Sequence, residues 1–317
     1  MGGLDNSMAI TVIGVVGPTA TGKSRLGVSL AKHFNGEIVS CDSMQIYQGM
    51  PIATAQPTFE EKAGVAHHLL DFLPVDERYS VAQFVTDAKA DIETITKKNK
   101  LPILVGGTGL YISSLLNGIS FSDETYHPKV REKLEDELKC CGPEAMLQKL
   151  REIDPEYAKS LHPNNQKRVL RALEQYEYSG ITMSEQLINS RRLPSPYHPV
   201  VLGLDYKDRQ NLYHRINQRV DQMISSGLIE EARRFYQALP EKTAAQAIGI
   251  KELKPFFDGE TALENCIETI KRETRRYAKR QRTWFLRDPA VQWFYPDEFS
   301  AFSDLIDSAV DYVTDRI

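Results

Sequence analysis

Eight consecutive residues, Gly17-Pro18-Thr19-Ala20-Thr21-Gly22-Lys23-Ser24, match the pattern G-x-x-x-x-G-K-[ST]. Glycines let the backbone curl until its N–H groups converge on phosphate oxygens. A helix opening near Lys23 adds the positive end of its dipole. Lys23 supplies a point charge, and the Ser24 hydroxyl is a ligand for Mg²⁺, the one cofactor this loop calls for. A glycine-rich turn can match by chance. Here the pattern follows an apolar, β-branched run, Ala9 to Val16, and precedes helical spacing from Arg25 to Phe34, with Leu26, Leu30 and Phe34 on one face. That context favours the phosphate reading. Which phosphate compound binds is left open. A kinase usually has a Mg²⁺-organising Asp after a second strand. The run Leu101 to Val105 ends instead in Gly-Gly-Thr-Gly, but Glu37 to Cys41 does end in Asp42, so a small-molecule kinase survives on these residues alone.

The elements that must hold these residues alternate. Apolar runs at Ala9–Val16, Glu37–Cys41 and Leu101–Val105 read as buried parallel strands. Between them, Val81 to Lys97 has helical spacing, with Phe84, Ala88 and Ile92 aligned. The texture changes near Ser122. From His127 to Arg192 only helical spacing recurs, at Val130, Leu134 and Leu138, at Met146, Leu147 and Leu150, and at Val169, Leu170 and Leu173. Leu193 to Pro199 holds three prolines and reads as a link, after which Val200 to Leu204 resembles a returning strand. The expected fold is α/β: a P-loop NTPase-like parallel sheet core with an inserted all-helical domain. Residues 1–122 form the first part of the core, 123–195 the insertion, and 196–317 the completed core with basic helices.

Composition sets bounds. The chain has 317 residues, 41% hydrophobic and 26% charged, as a soluble globular protein would. A net charge of −4 excludes a globally basic nucleic-acid binder but not a local basic stripe. Cys41, Cys140, Cys141 and Cys266 form no C-x-x-C pair, so they support neither zinc nor a disulfide framework, and they suit a reducing cytoplasm. Cys140 and Cys141 read as helix-end residues. His67-His68 lacks a spaced third ligand and reads as structural. No apolar run reaches the roughly 18 residues of a membrane span. Met1 to Ser7 carries no signal-peptide pattern and reads as a short disordered lead.

Further segments accompany the loop in order: Asp42-Ser43-Met44-Gln45-Ile46-Tyr47, His67-His68-Leu69-Leu70-Asp71, Gly106-Gly107-Thr108-Gly109-Leu110-Tyr111, Lys167-Arg168-Val169-Leu170-Arg171-Ala172-Leu173-Glu174, Gln246-Ala247-Ile248-Gly249-Ile250-Lys251-Glu252, and Arg275 to Phe285 (RRYAKRQRTWF). The set, spanning about residue 10 to residue 295, resembles the tRNA dimethylallyltransferase (tRNA isopentenyltransferase) family of bacterial type. The resemblance implies transfer of a dimethylallyl group from dimethylallyl diphosphate to the N6 amine of the adenine beside the anticodon, with diphosphate as leaving group. Ile250 departs from the family's usual Tyr. No cysteine- and histidine-containing finger follows the last motif, unlike eukaryotic relatives.

An exocyclic adenine amine is a poor nucleophile, so a base and a stabilised leaving group are both useful. Asp42 is the expected base, because a carboxylate near a phosphate-binding site stays ionised; its plain alternative is a helix N-cap. Lys23, the loop amides, Mg²⁺ on Ser24 and Arg219, the arginine to which the resemblance points, would offset charge on the diphosphate. A solvated helix arginine is the bland reading of Arg219. Thr108, flanked by glycine, would touch the substrate nucleotide, with a structural turn as its rival. Expected tRNA contacts are Asp42, Ser43, Met44, Gln45, Thr108, Arg131, Gln166, Lys167, Arg168, Val169, Leu170, Arg171, Gln246, Ala247, Ile248, Gly249, Ile250, Lys251, Arg275, Arg276 and Lys279. From Lys271 to Arg287 Glu273 is the only acid among many bases, and Arg272, Arg275, Arg276, Lys279 and Arg282 fall on one helical stripe, with Ile270, Tyr277, Trp284 and Phe285 inward. Lys167, Arg168 and Arg171 form a second cluster. Together they suggest a clamp on an anticodon stem, with the target base leaving its stack. The partners expected are thus tRNA and dimethylallyl diphosphate, without a membrane, for a cytoplasmic monomer. Alternatives are an adenylate isopentenyltransferase acting on a free nucleotide, the kinase, and a non-catalytic RNA-binding module, against which Lys23, Ser24 and Asp42 argue.

Overall fold

The computed structural model describes residues 9–119, 128–190, 194–236 and 244–317. The lead Met1–Ser7 lies outside them. The chain divides into two compact units, Met1–Leu116 with Ser195–Ile317, and Asn117–Pro194. The helical unit therefore begins six residues before the expected boundary. Among the described residues no helix is long and apolar enough to cross a membrane.

The first unit opens β1 (Ile10–Val16), α1 (Lys23–His33), β2 (Gly36–Ser40), a one-turn α2 (Phe59–Lys62), β3 (His67–His68), α3 (Val81–Lys97), β4 (Leu101–Val105) and α4 (Gly109–Leu116). Among the described residues six strands, completed by β5 (Tyr197–Leu204) and β6 (Val291–Phe294), form one sheet in the order β3-β2-β4-β1-β5-β6. Every pairing is parallel. The short apolar runs suit this, because parallel strands are buried on both faces. β1 is central, with Ile13 opposite Ile103 of β4 and opposite Val200 of β5. Ile13, Val15, Ile38, Ile103 and Leu202 share a core with Leu26 and Leu30 of α1 and with Leu305, Ala309 and Val313 of α13 (Phe302–Thr314). On α3, Phe84 stacks on Tyr111 of α4 at 4.2 Å between ring centroids.

Two strands, β3 and β6, lie outside the strands expected from the sequence. β3 has two residues and β6 four, too few for a periodic pattern to stand out. β5 begins at Tyr197, so Pro199 belongs to a strand and not to a link. Proline is tolerated there because β6 pairs only from Val201 onward, leaving that side of β5 open at Pro199.

After β5 come α9 (Arg209–Ser225), α10 (Leu228–Tyr236), α11 (Lys254–Phe257) and the long α12 (Leu263–Phe285). Val220, Leu228, Ala232, Ile250, Leu253 and Ile270 from this part enclose a second core with Ile46, Tyr47 and Met50. That core seats the segment following β2 against α9, α10 and α12.

The second unit contains α5 (Pro128–Ile153), α6 (Pro155–Lys159), α7 (Gln166–Ser179) and α8 (Met183–Ser190). α5 is interrupted at Gly142, whose φ of 81° lies in the left-handed region ahead of Pro143. Cys140 and Cys141 sit exposed just before this break. Leu134, Met146, Leu150, Val169, Leu170 and Leu173 form the unit's own core.

Candidate active site

Three strand ends supply the site's floor. β1 runs into Gly17, β2 into Asp42, and β4 into Gly106-Gly107, all at the carboxyl edge of the sheet, where parallel α/β folds place ligands. The loop after β1 has the backbone turn that the expected phosphate cradle requires. Ala20 (φ 66°) and Gly22 (φ 97°) both adopt the left-handed conformation that turns successive amides to one side, and α1 begins at Lys23. The Thr21 hydroxyl donates to Pro18 O at 2.9 Å, tying the turn to itself.

Lys23, Ser24, Asp42 and Arg219 line one cavity of about 310 Å³. Its walls include apolar Met44, Ala53, Val220, Met223, Ile248 and Ile270 beside Gly106, Gly107, Lys251, Tyr277, Arg280 and Gln281. A second cavity of about 590 Å³ shares Lys23, Ser24, Ala55, Arg219 and Met223 with it and adds Arg25, Glu61 and Arg215. The phosphate loop therefore separates, and opens to, two chambers.

The electrostatics converge on Lys23. Burial and the nearby Arg219 guanidinium lower its pKa to about 7, and only Asp42 opposes them. Its Nζ donates to Pro18 O at 2.5 Å. Arg219 is half-buried, and desolvation lowers its pKa while Asp42 raises it. Its Nη1 donates to Thr19 Oγ1 at 3.4 Å and its Nη2 to Ala55 O at 3.5 Å. This is a fixed cation over the phosphate loop, not a solvated helix arginine. Asp42 Oδ1 accepts from Met44 N–H at 2.9 Å and Gln45 N–H at 3.4 Å. No helix follows, so these bonds make an aspartate-centred turn, and a helix N-cap is not what Asp42 forms. Its carboxylate still faces the cavity.

Thr108 stands behind the cavity wall. Its Oγ1 accepts from Ser43 N–H at 3.0 Å and donates to Ser43 Oγ at 3.3 Å, and it hydrogen-bonds the Tyr277 phenol. It holds the Asp42-Ser43 turn in place. Gln45 is spent on backbone: its Nε2 donates to Thr54 O and Ala55 O, at 3.3 and 3.0 Å. Buried Glu231 completes this support by accepting from Ile52 N–H (3.0 Å) and Ala53 N–H (2.7 Å). Burial, with Asp42 second, keeps the Tyr277 phenol protonated far above the usual range.

Residues 45–288 match the model of a family described as IPP transferase. The chain belongs to the IPP transferase family. The chain is 45% identical to a tRNA dimethylallyltransferase of Caldanaerobacter subterraneus subsp. tengcongensis over 313 residues, covering 98% of this chain and 99% of the relative. It is 46% identical to a tRNA dimethylallyltransferase of Anoxybacillus flavithermus over 307 residues, 96% and 97% of the two chains. Among solved structures, the full-length tRNA isopentenylpyrophosphate transferase from Bacillus halodurans aligns with a TM-score of 0.72 at 42% identity, over 96% of each chain. A eukaryotic dimethylallyltransferase acting on tRNA aligns with a TM-score of 0.79 at 30% identity, over 98% of this chain and 81% of that one.

The other expected contacts divide. Gln166, Lys167 and Arg168 are exposed at the start of α7. Val169 and Leu170 are core residues, 1% and 3% exposed, and are not available to RNA. Arg131 and Arg171 both reach buried Glu174, at 3.7 and 3.4 Å. In the segment after α10, Gln246, Ala247, Ile248 and Lys251 line the cavity, but Ile250 is buried in the second core and makes no outward contact. Gly249 is buried as well, and its N–H donates to Glu252 at 2.9 Å. The stripe on α12 is thinner than the spacing suggests. Arg282 is fixed by buried Asp205, Arg275 Nη1 donates to Asn217 Oδ1 at 2.6 Å, and Arg276 pairs with Glu273. Arg272, Arg276, Lys279 and Arg280 remain exposed. Tyr277 is inward, as expected, yet lines the cavity instead of only packing. Sequence reasoning misses Glu231, Arg280 and Gln281, since neither type nor spacing distinguishes them from surface residues.

Proposed function

We propose that the protein is a tRNA dimethylallyltransferase. It transfers the dimethylallyl group of dimethylallyl diphosphate to the N6 amine of the adenine adjacent to the anticodon. The names of its relatives support this reading, and one observation carries it: a carboxylate, a phosphate loop and an apolar wall share a single cavity. The loop and Arg219 take the diphosphate, while Met44, Val220, Met223 and Ile270 suit a five-carbon apolar group. Asp42 receives the proton of the amine as the N6–C bond forms and the allylic C–O bond breaks, and the electron pair leaves with diphosphate. Arg219 and Lys23 stabilise the growing charge on that leaving group. The adenine must leave its stack to enter so enclosed a site.

Mg²⁺ fits the residues present. Among the described residues no three His, Cys, Asp or Glu side chains gather to hold a metal ion. The Ser24 hydroxyl and the Asp42 carboxylate face the same cavity. Mg²⁺ keeps water and takes substrate phosphate oxygens, so few protein ligands suffice. When bound it would neutralise charge on the diphosphate. A monomer acting in the cytoplasm, where tRNA is found, completes the proposed reading.

The experiment is to incubate the protein with Mg²⁺, prenyl-labelled dimethylallyl diphosphate, and either tRNA or AMP. Label should enter tRNA with release of equimolar diphosphate. Label entering AMP instead would make it an adenylate isopentenyltransferase. Phosphate transfer from ATP without prenyl transfer would make it a kinase.

A further inference from the structure

We propose that Gln281 is a positioning residue for donor binding: it bridges the phosphate loop to the Gly106-Gly107 turn and so fixes the loop from α12. The inference rests on the reading that the loop holds the diphosphate donor. Gln281 is 5% exposed. Its Oε1 accepts from Thr19 N–H at 2.9 Å, and its Nε2 donates to Gly107 O at 3.0 Å. One amide thus joins a donor to an acceptor, and a flipped amide would set N–H against N–H and oxygen against oxygen. Glycine at 107 makes the approach feasible, because a Cβ there would lie 2.0 Å from Gln281 Nε2.

Thr19 is the residue through which this bridge reaches the cavity. Its N–H is held by Gln281, and its hydroxyl receives Arg219 Nη1. Gln281 therefore sets the orientation of the loop arm that faces the fixed cation. The helix carrying Gln281 is itself anchored. Arg282 Nε donates to Asp205 just past β5, Trp284 Nε1 donates to Ser113 Oγ of α4 at 3.0 Å, and Tyr277 hydrogen-bonds the Gln281 side chain. A phosphate cradle works by amides fixed before the anion arrives, so a loosened arm lowers affinity for diphosphate before it affects anything else.

Two variants test this. Gln281→Met keeps the length and removes the amide's hydrogen bonds, the one with Tyr277 included, leaving Thr19 N–H and Gly107 C=O unpaired. Inorganic diphosphate affinity should fall, and donor KM rise, by on the order of tenfold to a hundredfold. tRNA affinity should change little. Gln281→Glu still accepts from Thr19 but turns a second oxygen on the Gly107 carbonyl. Protonating that carboxyl restores a donor, so kcat/KM of Gln281→Glu relative to the parent should rise as pH falls. A purely packing role would lower thermal stability and leave donor KM and that pH-dependent ratio parental. Parental diphosphate affinity in Gln281→Met, or a Gln281→Glu ratio flat with pH, overturns the proposal. Should Gln281→Met fail to fold, the pH ratio of Gln281→Glu decides. If the parent itself fails to prenylate tRNA, the functional reading fails; if only the variants behave as the parent, this inference alone fails.

Discussion

Lys23 titrates near neutrality because burial and the Arg219 guanidinium both disfavour its charge, against the pull of Asp42. Its folded pKa of about 7 lies below the usual lysine value. A diphosphate bound beside it favours the ammonium and raises that pKa again. Below about 7 the lysine is already charged, and its contribution to donor affinity is flat with pH. Above that, binding must first take up a proton, so affinity falls as pH rises. Calorimetry of inorganic diphosphate binding, from mildly acidic to mildly alkaline pH in buffers of different ionisation enthalpy, should show the parent taking up more protons than Lys23→Arg on the alkaline side only. Lys23→Arg stays charged throughout, so the protons it exchanges are those of diphosphate itself. An identical pH dependence in Lys23→Arg would remove the lysine from this role. Lys23, Ser24 and Asp42 were legible in the sequence because spacing alone marks a phosphate loop and the strand end after it. Arg219 and Gln281 were not legible that way. They meet Thr19 from 200 and 262 residues away, a distance no local pattern encodes. Resemblance named Arg219, and nothing named the role of Gln281.

Among the elements, α12 has two jobs that its sequence merges. The spacing of its bases is visible in the chain; the acids and amides that claim some of them are not. Asp205 and Asn217 sit on other elements and take Arg282 and Arg275. The double change Arg276→Ala with Lys279→Ala should weaken tRNA binding. It should reduce the slope of log affinity against log salt by roughly 0.7–0.9 for each RNA phosphate that is no longer neutralised. Arg275→Ala should instead lower thermal stability with a smaller change in slope. A salt series of tRNA affinities, with melting temperatures, separates the two; superimposable slopes for parent and double variant would reduce the stripe to a solvated face. At the sheet edge, β3 is too short to be read from period, and it brings His68 to Glu37. Burial alone would raise the Glu37 pKa, but hydrogen bonds from Lys100, His68 and Lys98 hold it at about 2. His68 also lies 3.2 Å from Asp91. A carboxylate depressed in the folded state contributes stability at pH above its unfolded value, and that stability is lost as pH falls toward about 2. Glu37→Gln should therefore melt at lower temperature near neutral pH, with the gap to the parent closing as pH drops. A gap constant with pH would show that only packing had changed.

In the molecule as a whole, the alternation of strand and helix was readable because buried parallel strands and amphipathic helices have different periods. The insertion was readable because its period never changes. Its exact start was not, since no residue type marks where a chain leaves a sheet. Lys167 and Arg168 are exposed on that unit, and Arg276 and Lys279 on the other. If both units contact one tRNA, changing both pairs to Ala should reduce the salt slope by the sum of the two separate reductions. A combined reduction equal to either alone would assign tRNA binding to one unit. On the proposed reading, the cavity holding Asp42 and Lys23 alkylates a tRNA adenine. Single-turnover reaction of tRNA with dimethylallyl diphosphate and Mg²⁺, followed by nucleoside mass analysis, tests this for the parent and Asp42→Asn. The parent should give N6-dimethylallyladenosine at the adenine beside the anticodon. Asp42→Asn should react more slowly by on the order of 10²–10⁴ with tRNA affinity nearly unchanged. No prenylated adenosine with the parent, or equal rates for the two proteins, would contradict the claim.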